Sequence, residues 1–403
     1  MDLKSGYPFW AIRNGLMRAF PPLHEHLACD VVVIGGGITG ALIADELARH
    51  GHGVVVLEQR DVAWGSTAAS TALLQYEIDT HMVDLAGKYG ERTAALAYDA
   101  CASSIHDLQA LAADVGDVDF AKADSLYYAS SRRHARKLRD EHALRRKHGF
   151  DVTWLDRDAI IDAYGFEAPC AILSTLAARI DPYRMTYRLL DRVRKRGGEI
   201  FDRTCVDDIR ATARGVSLRT TEGFEVRADH AVIAAGYASQ HWLRDRIAVN
   251  RSSYAFITDP IERERLGALR NTMLWESARP YLYLRTTGDD RLLVGGEDDA
   301  VDIPAKRDLR VDRKALRLAK EVGNLFPHLP IRPAFAWAGT FAETRDGLPF
   351  FGPHPQYGPR VHFAMAYGGN GITFSMAGGG LIRALVERRK HPLSSVFGFK
   401  RLG

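Results

Sequence analysis

The amino-acid sequence predicts an α/β fold with a parallel sheet, because one ordered series of patterns lies near the N-terminus. Residues 30–34 form an apolar run typical of a buried parallel strand. The glycine-rich segment 35–40 follows at once, and the pattern at 41–50 predicts a helix. A second apolar run at 54–57 predicts another buried strand, which ends at Glu58. Strand, glycine loop, helix and strand in this order indicate a Rossmann-like nucleotide-binding domain.

The glycines of the motif Gly35-x-Gly37-x-x-Gly40 each have a separate role in that geometry. Gly35 makes a tight turn, Gly37 allows the backbone to approach a pyrophosphate, and Gly40 allows the helix to pack closely on the strand. The free N–H groups at the start of the helix attract phosphates. Glu58 lies where a carboxylate accepts hydrogen bonds from a ribose. This segment therefore predicts a dinucleotide site and leaves NAD and FAD as alternatives.

Length and composition limit the classes to which this chain can belong. With 403 residues, 46% hydrophobic and 26% charged, it is long enough for two globular domains. The net charge of +4 is small, and we interpret the basic residues at 132–147 as a solvated helix face, with no nucleic-acid partner. Four dispersed cysteines and the histidine spacing predict reduced thiols and no metal site. Without a signal sequence or a long apolar run, we expect a cytoplasmic protein with no transmembrane segment.

Later segments favour FAD over NAD. A loop of glycine, small and hydroxyl residues follows the acid at 65–71, where a NAD dehydrogenase would continue into further strand–helix units. Such a loop suits a bulky ring system that rests on backbone. Short strands with turns are predicted at 200–236. At 367–374 the sequence YGGNGITF opens a second helix, predicted to reach 389, whose N-terminus suits the anionic pyrimidine edge of a reduced flavin.

An ordered series of motifs resembles the FAD-dependent D-amino acid oxidase superfamily, which includes glycine oxidase, sarcosine oxidase and the D-amino acid dehydrogenases. The motifs are DVVVIGGGITG, VVVLE, WGSTAAST, RIDPYRMTYRLL, AVIAAG, LLVGGED, DGLPFFGP and AYGGNGITFS, within about residues 28–390. YPFW and PPL, ahead of the glycine loop, also resemble the branch with γ-glutamylputrescine oxidase. The resemblance implies a discontinuous FAD-binding domain (28–85, 175–245 and 335–390), a mixed-sheet substrate-binding domain over the flavin (86–174 and 246–334), an N-terminal arm (1–27) and a C-terminal tail (391–403).

The resemblance also implies which residues hold the FAD. The glycine loop matches the pyrophosphate site, Ser66 and Thr67 lie beside the diphosphate, Val206 contacts adenine through its backbone, and 369–373 match the flavin pyrimidine end. The predicted cofactor-binding residues are Gly35, Gly37, Ile38, Thr39, Gly40, Glu58, Gln59, Arg60, Gly65, Ser66, Thr67, Thr71, Ala72, Leu73, Val206, Ala235, Gly236, Gly347, Gly368, Gly369, Asn370, Gly371, Ile372 and Thr373. We expect non-covalent FAD, because Ala69 replaces the histidine to which some relatives attach it.

The predicted catalytic residues lie on a short alternating strand and in a later turn. Alternation places Tyr281, Tyr283 and Arg285 on one face, in the segment that resembles the family's substrate sheet. They would form a binding wall whose arginine pairs with a substrate carboxylate; the alternative is an edge strand whose arginine faces water. Many relatives hold that carboxylate with an arginine where this chain has Phe341. Either Arg345 replaces it, or the substrate has no α-carboxylate.

The sequence thus predicts oxidation of a C–N bond in an amino acid or amine by hydride transfer to FAD, giving an imine that hydrolyses, with oxygen or another acceptor. Leu293 stands where sarcosine-oxidase-like enzymes have an oxygen-activating lysine, so oxidase and dehydrogenase both stay open. Two other functions also stay open. One is C–O oxidation of a 2-hydroxy acid or glycerol-phosphate-like substrate, which Arg285 favours, and the other is a non-catalytic FAD-bound assembly subunit. We interpret His354, between two prolines, as a surface histidine rather than a base.

Overall fold

The computed structural model describes residues 3–402 of the chain, and two β-sheets organise them. In chain order the strands are β1 (Lys4–Gly6), β2 (Leu27–Ile34), β3 (Val54–Leu57), β4 (Leu73–Gln75), β5 (Ala121–Tyr128), β6 (Val152–Asp156), β7 (Cys170–Arg179), β8 (Glu199–Phe201), β9 (Val206–Ala211), β10 (Val216–Thr220), β11 (Glu225–Ile233), β12 (Val249–Pro260), β13 (Thr272–Glu276), β14 (Leu282–Thr286), β15 (Arg291–Asp299), β16 (Phe335–Glu343), β17 (Phe350–Pro353) and β18 (Val361–Met365).

Helices cover much of the chain between the strands. They are α1 (Phe9–Asn14), α2 (Ile38–Arg49), α3 (Ser66–Ala69), α4 (Met82–Tyr89), α5 (Glu91–Val115), α6 (Arg132–Lys147), α7 (Arg157–Tyr164), α8 (Pro182–Lys195), α9 (Arg263–Leu266), α10 (Pro304–Asp308), α11 (Val311–Leu325), α12 (Gly371–Val386) and α13 (Ser394–Phe397). Short 3-10 segments cover Gly236–Trp242, Gly267–Arg270 and Phe399–Leu402.

The eight-stranded sheet contains the predicted nucleotide-binding unit. Its main order is β17-β18-β11-β2-β3-β8, and β10 and β9 continue from β11. β18, β11, β2, β3 and β8 pair in parallel. All four residues of β3 are buried, as expected for a parallel strand covered on both faces. The predicted α/β fold with a parallel sheet is confirmed.

The ten-stranded sheet is mixed and much of it is antiparallel. Its order is β1-β16-β12-β15-β14-β13-β5-β7-β4, with β6 beside β7. The central strands β12, β15 and β14 pair antiparallel, whereas β13 and β5 pair in parallel. Helix α11 packs against β12, β15 and β16. This sheet corresponds to the mixed substrate sheet that the sequence predicts.

Sheet membership differs from the predicted segment boundaries in three places. Strand β16 belongs to the ten-stranded sheet, although 335–343 was grouped with the FAD-binding segments. Strand β4 also joins that sheet, through its antiparallel pairing with β7. The N-terminal arm contributes β1, whose residues pair with Trp337, Ala338 and Gly339 of β16. The physical reason is that sheet pairing joins segments far apart in sequence, which local patterns do not report.

Several local predictions need correction. Within the short strands predicted at 200–236, residues 225–233 form one continuous strand of nine residues, and α12 ends at Val386 rather than near 389. The basic helix α6 is not solvated throughout, because Arg145 is fully buried and its Nε donates to Glu141 Oε1 at 2.8 Å. His354 is buried rather than on the surface, because the ring of Phe399 packs edge-on against it with centroids 4.9 Å apart.

The four cysteines Cys29, Cys101, Cys170 and Cys205 are unpaired, as predicted. Cys101 is buried on the stripe of α5 that packs into the core, as the apolar spacing indicates. Within residues 3–402, no helix combines the length and the apolar character needed to cross a bilayer. In the same range, His, Cys, Asp and Glu side chains nowhere gather in a group of three or more that could hold a metal.

Candidate active site

A cavity of about 440 Å³ is lined by residues of both sheets and of the loops that connect them. One side is formed by the ends of β2, β3 and β11 and by the starts of α2 and α12. The other side is formed by β12, β14, β15 and β16. Its volume lies in the range typical of ligand sites, roughly 300–1,000 Å³.

The glycine loop has no room for side chains at two positions. Gly35 has a φ of +118°, and a Cβ on it would lie 2.3 Å from the carbonyl oxygen of Ala234. A Cβ on Gly40 would lie 1.8 Å from the carbonyl oxygen of Gly35. The tight turn and the close packing of α2 on β2, both predicted from the sequence, therefore require glycine here.

Two helix N-termini open onto the cavity. The residue before α2 is Gly37, which provides no capping side chain, and the Ile38 N–H donates to Thr67 Oγ1 at 2.9 Å. The residue before α12 is Asn370, whose side-chain amide donates instead to the carbonyl oxygens of Gln75 and Glu77, at 3.3 and 2.7 Å. N–H groups in both first turns thus remain for a ligand, and the helix dipoles favour a negatively charged one.

Glu58 is a carboxylate held rigidly on the cavity wall. Its Oε2 accepts the Gly36 N–H at 2.8 Å and its Oε1 accepts the Arg60 N–H at 3.0 Å. Burial raises the pKa of this carboxyl group, and the two backbone amides oppose that rise. Each oxygen retains acceptor capacity, so Glu58 can bind ribose hydroxyls as the sequence predicts.

Most of the predicted cofactor-binding residues meet at this cavity. Those that line it are Gly35, Gly37, Ile38, Thr39, Glu58, Gln59, Arg60, Gly65, Ser66, Thr67, Thr71, Ala72, Leu73, Val206, Ala235, Gly236, Gly368, Gly369, Asn370, Gly371 and Ile372. Gly40 lies beneath the loop, and the Thr373 hydroxyl donates to the Gln75 carbonyl at 3.2 Å. Gly347 lies elsewhere, with Thr80 Oγ1 2.4 Å from where its Cβ would be. The site thus fits a dinucleotide, while the role of each residue stays a prediction.

Tyr281 and Tyr283 face the cavity together, as the alternation predicts. The Tyr281 phenol donates to Asp79 Oδ1 at 3.1 Å, and the hydroxyls of Tyr283 and Ser253 lie 3.2 Å apart. The Tyr283 ring packs over Gly295, and a side chain at position 295 would collide with it, because a Cβ on Gly295 would lie 2.3 Å from the ring. Burial raises the pKa of Tyr283 to about 12, so both its proton and its hydrogen bonds are available at neutral pH.

Arg285 does not join the two tyrosines at the cavity, which corrects the prediction of a substrate-binding arginine. Its side chain is 1% exposed, and its guanidinium donates to the carbonyl oxygens of Thr71 at 2.7 Å and Ile180 at 3.2 Å. The same group lies 5.3 Å from the ring centroid of Trp10. Arg285 points to the same face of β14 as Tyr283, as alternation predicts. The loop at Thr71 and the N-terminal helix α1 cover this end of the strand. Arg285 is a structural cation.

Arg345 is not at the cavity either. It is exposed, and its carbonyl oxygen accepts a hydrogen bond from Lys88 Nζ at 3.0 Å. Phe341, on β16, does line the cavity. Of the two alternatives for this turn, replacement by Arg345 therefore gains no support from the cavity lining, and the apolar ring of Phe341 lines the cavity at this turn.

Several residues beyond those predicted from the sequence line the cavity beside the two tyrosines. Asp79 accepts the Gly369 N–H at Oδ2, at 2.9 Å, in addition to the Tyr281 phenol. Asp298 and Trp275 line the cavity from β15 and β13. Asp298 lies at the end of the LLVGGED motif, which was a usable signal, whereas Asp79 lies in a loop without any pattern. Leu3 of the N-terminal arm also reaches the cavity, through strand pairing that no local pattern predicts.

The charges of the lining are arranged unevenly. Three lining residues, Glu77, Asp79 and Asp298, are carboxylates; Asp79 accepts the Tyr281 phenol, and Glu77 is paired with the buried Arg145. Among the described lining residues, the basic side chains are Arg60, beside Glu58, and His241, in the 3-10 segment after β11, and neither lies on the ten-stranded sheet. The substrate-facing wall is thus acidic and aromatic.

A dinucleotide site on a parallel sheet, faced by a wall of phenols and carboxylates on a second sheet, defines a dinucleotide-dependent enzyme. The sequence profile of the DAO family, described as FAD dependent oxidoreductase, matches residues 30–385. The chain therefore belongs to this family, and FAD is its cofactor, as the sequence predicts.

Relatives and solved structures agree with this assignment. The chain is 27% identical over 399 residues to gamma-glutamylputrescine oxidoreductase of Escherichia coli, covering 94% of this chain and 88% of the relative. It is 26% identical over 372 residues to glycine oxidase of Geobacillus kaustophilus, covering 90% and 93%. The crystal structure of glycine oxidase from Geobacillus kaustophilus has the same fold, with a TM-score of 0.78, 21% identity and coverage of 93% and 99%.

Proposed function

We propose that this protein oxidises the C–N bond of an amine or amino acid. One observation carries the proposal: the nucleotide site and the wall of Tyr281 and Tyr283 line a single continuous cavity. A molecule bound against that wall therefore lies next to the cofactor. When bound, FAD accepts a hydride from the carbon beside the nitrogen. The substrate then contains a C=N bond, and water hydrolyses this imine to a carbonyl compound and an amine or ammonia.

The residues of this chain contribute position and electrostatics rather than acid–base chemistry. Trp275 and the two tyrosines provide flat surfaces and hydroxyls that orient the substrate and exclude water. The N-terminus of α12, with Gly371 and Ile372 on the cavity, would stabilise negative charge that develops on the cofactor. Asn370 holds that helix start against the chain at Gln75 and Glu77.

The relatives support nitrogen as the site of oxidation, because those described above are named for amine and glycine substrates. The feature that favoured C–O oxidation was Arg285, and its guanidinium is occupied by backbone carbonyls away from the cavity. Oxidation of an alcohol also benefits from a nearby base, commonly histidine. His354 is buried outside the described lining, and the histidine that does line the cavity, His241, lies in the 3-10 segment after β11 and not on the ten-stranded sheet with Tyr281 and Tyr283.

Anaerobic flavin bleaching tests the proposed function. The FAD-loaded protein is mixed with a panel of primary amines, D-amino acids and L-amino acids, and separately with 2-hydroxy acids and glycerol 3-phosphate. We expect loss of the visible flavin absorbance with members of the first panel only. Bleaching by the second panel alone would favour C–O oxidation, and no bleaching by either would favour an assembly subunit.

Two further measurements settle how FAD is held and which acceptor is used. Acid precipitation should release all of the flavin into the supernatant, because Ala69 offers no atom for covalent attachment. Admitting air to the bleached protein measures the rate of reaction with oxygen. Leu293, which stands where some relatives have an oxygen-activating lysine, is fully buried. Rapid bleaching followed by slow recovery in air would identify a dehydrogenase that uses another electron acceptor.

A further inference from the structure

Asp298 is a carboxylate on the cavity wall that still has an unused oxygen. Its Oδ1 is buried and has no hydrogen-bond partner among the described residues. The Ser253 hydroxyl interacts with the carboxylate, whereas burial and the nearby Asp79 disfavour its charge. A buried ionised oxygen without a partner is costly, so a structure that retains one gains when a ligand supplies the missing donor.

The surroundings of Asp298 specify the charge of that ligand. Glu77, 3% exposed, lines the same cavity, but its Oε1 lies 3.7 Å from Nη1 of the buried Arg145, which balances its charge. Asp79 is the third carboxylate, although its oxygens are occupied by Tyr281 and Gly369. A substrate carboxylate placed here would be repelled, whereas an ammonium group would be attracted.

Aromatic rings complete a site suited to a cation. Trp275 is held by stacking on Tyr127, with centroids 3.7 Å apart, and by donation of its indole N–H to Ser125 Oγ at 3.1 Å. Tyr281 and Tyr283 lie on the same wall. Ring faces attract ammonium groups, and fixed rings do so without losing conformational freedom.

We propose that Asp298 binds an ammonium group of the substrate, and that the preferred substrates are amines without a carboxylate on the reacting carbon. This inference rests on the proposed function and names its substrate class. Hydride leaves the carbon beside the reacting nitrogen only when that nitrogen is neutral, because its lone pair forms the C=N bond. The ammonium group that Asp298 holds is therefore a second amine of the same molecule. Diamines and longer polyamines have this chemistry.

Arg279 is the cation that could bind a carboxylate near this wall. It is exposed, lies outside the described lining and stacks on Tyr281, with its guanidinium carbon 3.7 Å from the ring centroid. Its Nη2 donates to the carbonyl oxygen of Asp79 at 3.0 Å. Its guanidinium is therefore engaged by Tyr281 and by the backbone of Asp79 on the outer side of the wall, whereas Asp298 lines the cavity itself.

Two aromatic probes of equal shape and opposite charge test the site without any turnover. Benzamidinium and benzoate both lack a C–H bond beside a nitrogen, so neither can be oxidised in the proposed way. Each is titrated into the FAD-loaded protein, and binding is followed by the flavin absorption spectrum and by calorimetry. We expect benzamidinium to bind at least about 10-fold more tightly than benzoate, as a charge-assisted hydrogen bond would provide.

Variants assign the preference to Asp298. Asp298→Asn should weaken benzamidinium binding by about 10-fold or more and leave benzoate unchanged or tighter. Asp158→Asn, at an exposed position on α7, removes the same charge from the surface and should change neither affinity. Tighter binding of benzoate than of benzamidinium would overturn the proposal, as would equal effects of the two substitutions.

An oxidisable pair then tests the substrate class. 1,4-Diaminobutane and ornithine differ by one carboxylate, and 1-butylamine lacks the second amine. We expect anaerobic bleaching to be fastest with the diamine and slowest with ornithine, and Asp298→Asn should bring the diamine close to 1-butylamine. Faster bleaching by ornithine would overturn the inference while leaving C–N oxidation intact. If no amine or amino acid bleaches the flavin, the proposed function fails, whereas the benzamidinium titration still decides the cation site.

Discussion

The carboxylate of Asp79 accepts a hydrogen bond from the phenol of Tyr281 at 3.1 Å. Its other oxygen accepts the backbone N–H of Gly369 at 2.9 Å. Tyr281 precedes β14 of the ten-stranded sheet, and Gly369 precedes the helix α12. One side chain therefore joins the wall of tyrosines to the loop before α12, and we expect binding of substrate at the wall and of FAD at the loop to be coupled.

Asp79→Ala should weaken both FAD and substrate binding, because it removes the acceptor of two hydrogen bonds. Hydrogen bonds to a charged group contribute about 1.5–3 kcal/mol each, so we expect roughly a 10-fold loss of FAD affinity. Tyr281→Phe is the matched control, since it removes only the hydroxyl group and should leave FAD affinity within about twofold while raising the substrate KM. FAD titration of the apoprotein measures the first effect, and steady-state kinetics the second. Equal FAD affinities of the two variants would disprove the coupling.

Arg285→Met should lower stability rather than change substrate preference. The guanidinium supplies hydrogen bonds to the carbonyl oxygens of Thr71 and Ile180, and each buried carbonyl left unpaired costs about 1–3 kcal/mol. Burial, with the neighbouring Arg179, lowers the pKa of Arg285 to about 9, so the group stays charged at neutral pH. Thermal unfolding should show a lower Tm, and FAD should be released faster because Thr71 lines the cavity.

Substrate kinetics test whether Arg285 binds the substrate after all. In the variant that retains FAD, KM should change by the same factor for amines with and without a carboxylate. A rise in KM for carboxylate substrates alone, at unchanged Tm, would show that Arg285 belongs to the substrate site.

Most residues predicted for the nucleotide half of the site line the cavity, whereas Arg285 and Arg345, predicted for the substrate half, do not. Local sequence patterns, namely glycines and short apolar strands, predict the backbone geometry of the nucleotide half. That geometry positions the glycine loop, Glu58 and the start of α12. Arg285 shows the limit of that approach, since alternation gives the face of a strand but not what covers it. Its cover includes Trp10, from the N-terminal arm.

Long-range packing explains the other errors. His354 has the neighbours of a surface residue in sequence, yet Phe399 of the C-terminal tail covers it. Arg145 looks like one more basic residue of α6, yet Glu141 on the same helix and Glu77, from a loop about seventy positions earlier, compensate it inside the protein. Asp298 could be found only as part of a family motif, because its unused oxygen is a property of the folded cavity.

Glu141→Gln should destabilise the fold strongly, because it leaves the buried cation of Arg145 without its main partner. Both side chains are fully buried, and breaking one partner of such a pair costs about 3–5 kcal/mol. Glu141 also accepts the N–H groups of Met82 and Val83, both at 3.0 Å. Urea unfolding followed by circular dichroism measures the free energy of unfolding.

Glu91→Gln is the control for that experiment. Glu91 forms an exposed ion pair with Lys147, the last residue of the same helix, and its loss should change the free energy of unfolding far less than the loss of Glu141. Similar effects of the two Glu→Gln changes would show that the buried Glu141–Arg145 pair contributes no more to the free energy of unfolding than an exposed pair.

Binding of benzamidinium should weaken as the pH falls through about 6, because only the ionised form of Asp298 attracts a cation. Burial raises the pKa of Asp298 to about 6, Asp79 and Glu343 add to the rise, and Ser253 and Arg279 oppose it. Above that pH the free carboxylate is charged, and below it the affinity should fall by up to about 10-fold per pH unit. Titrations between pH 5 and 8 measure this dependence. Asp298→Asn should remove it, and a persistent slope in that variant would assign the titration to another group.

The same raised pKa predicts that Asp298 lowers the stability of the ligand-free protein. A carboxyl group whose pKa is higher in the folded than in the unfolded state favours folding when protonated, and this contribution is lost as the pH rises from about 4 to about 6. Asp298→Asn should therefore raise the free energy of unfolding at neutral pH, by roughly 1–3 kcal/mol, and have little effect at pH 4. Urea unfolding of the FAD-loaded protein at both pH values measures the difference. Lower stability of the variant at neutral pH would mean that the carboxylate is satisfied within the fold, and would remove the physical reason for a bound cation.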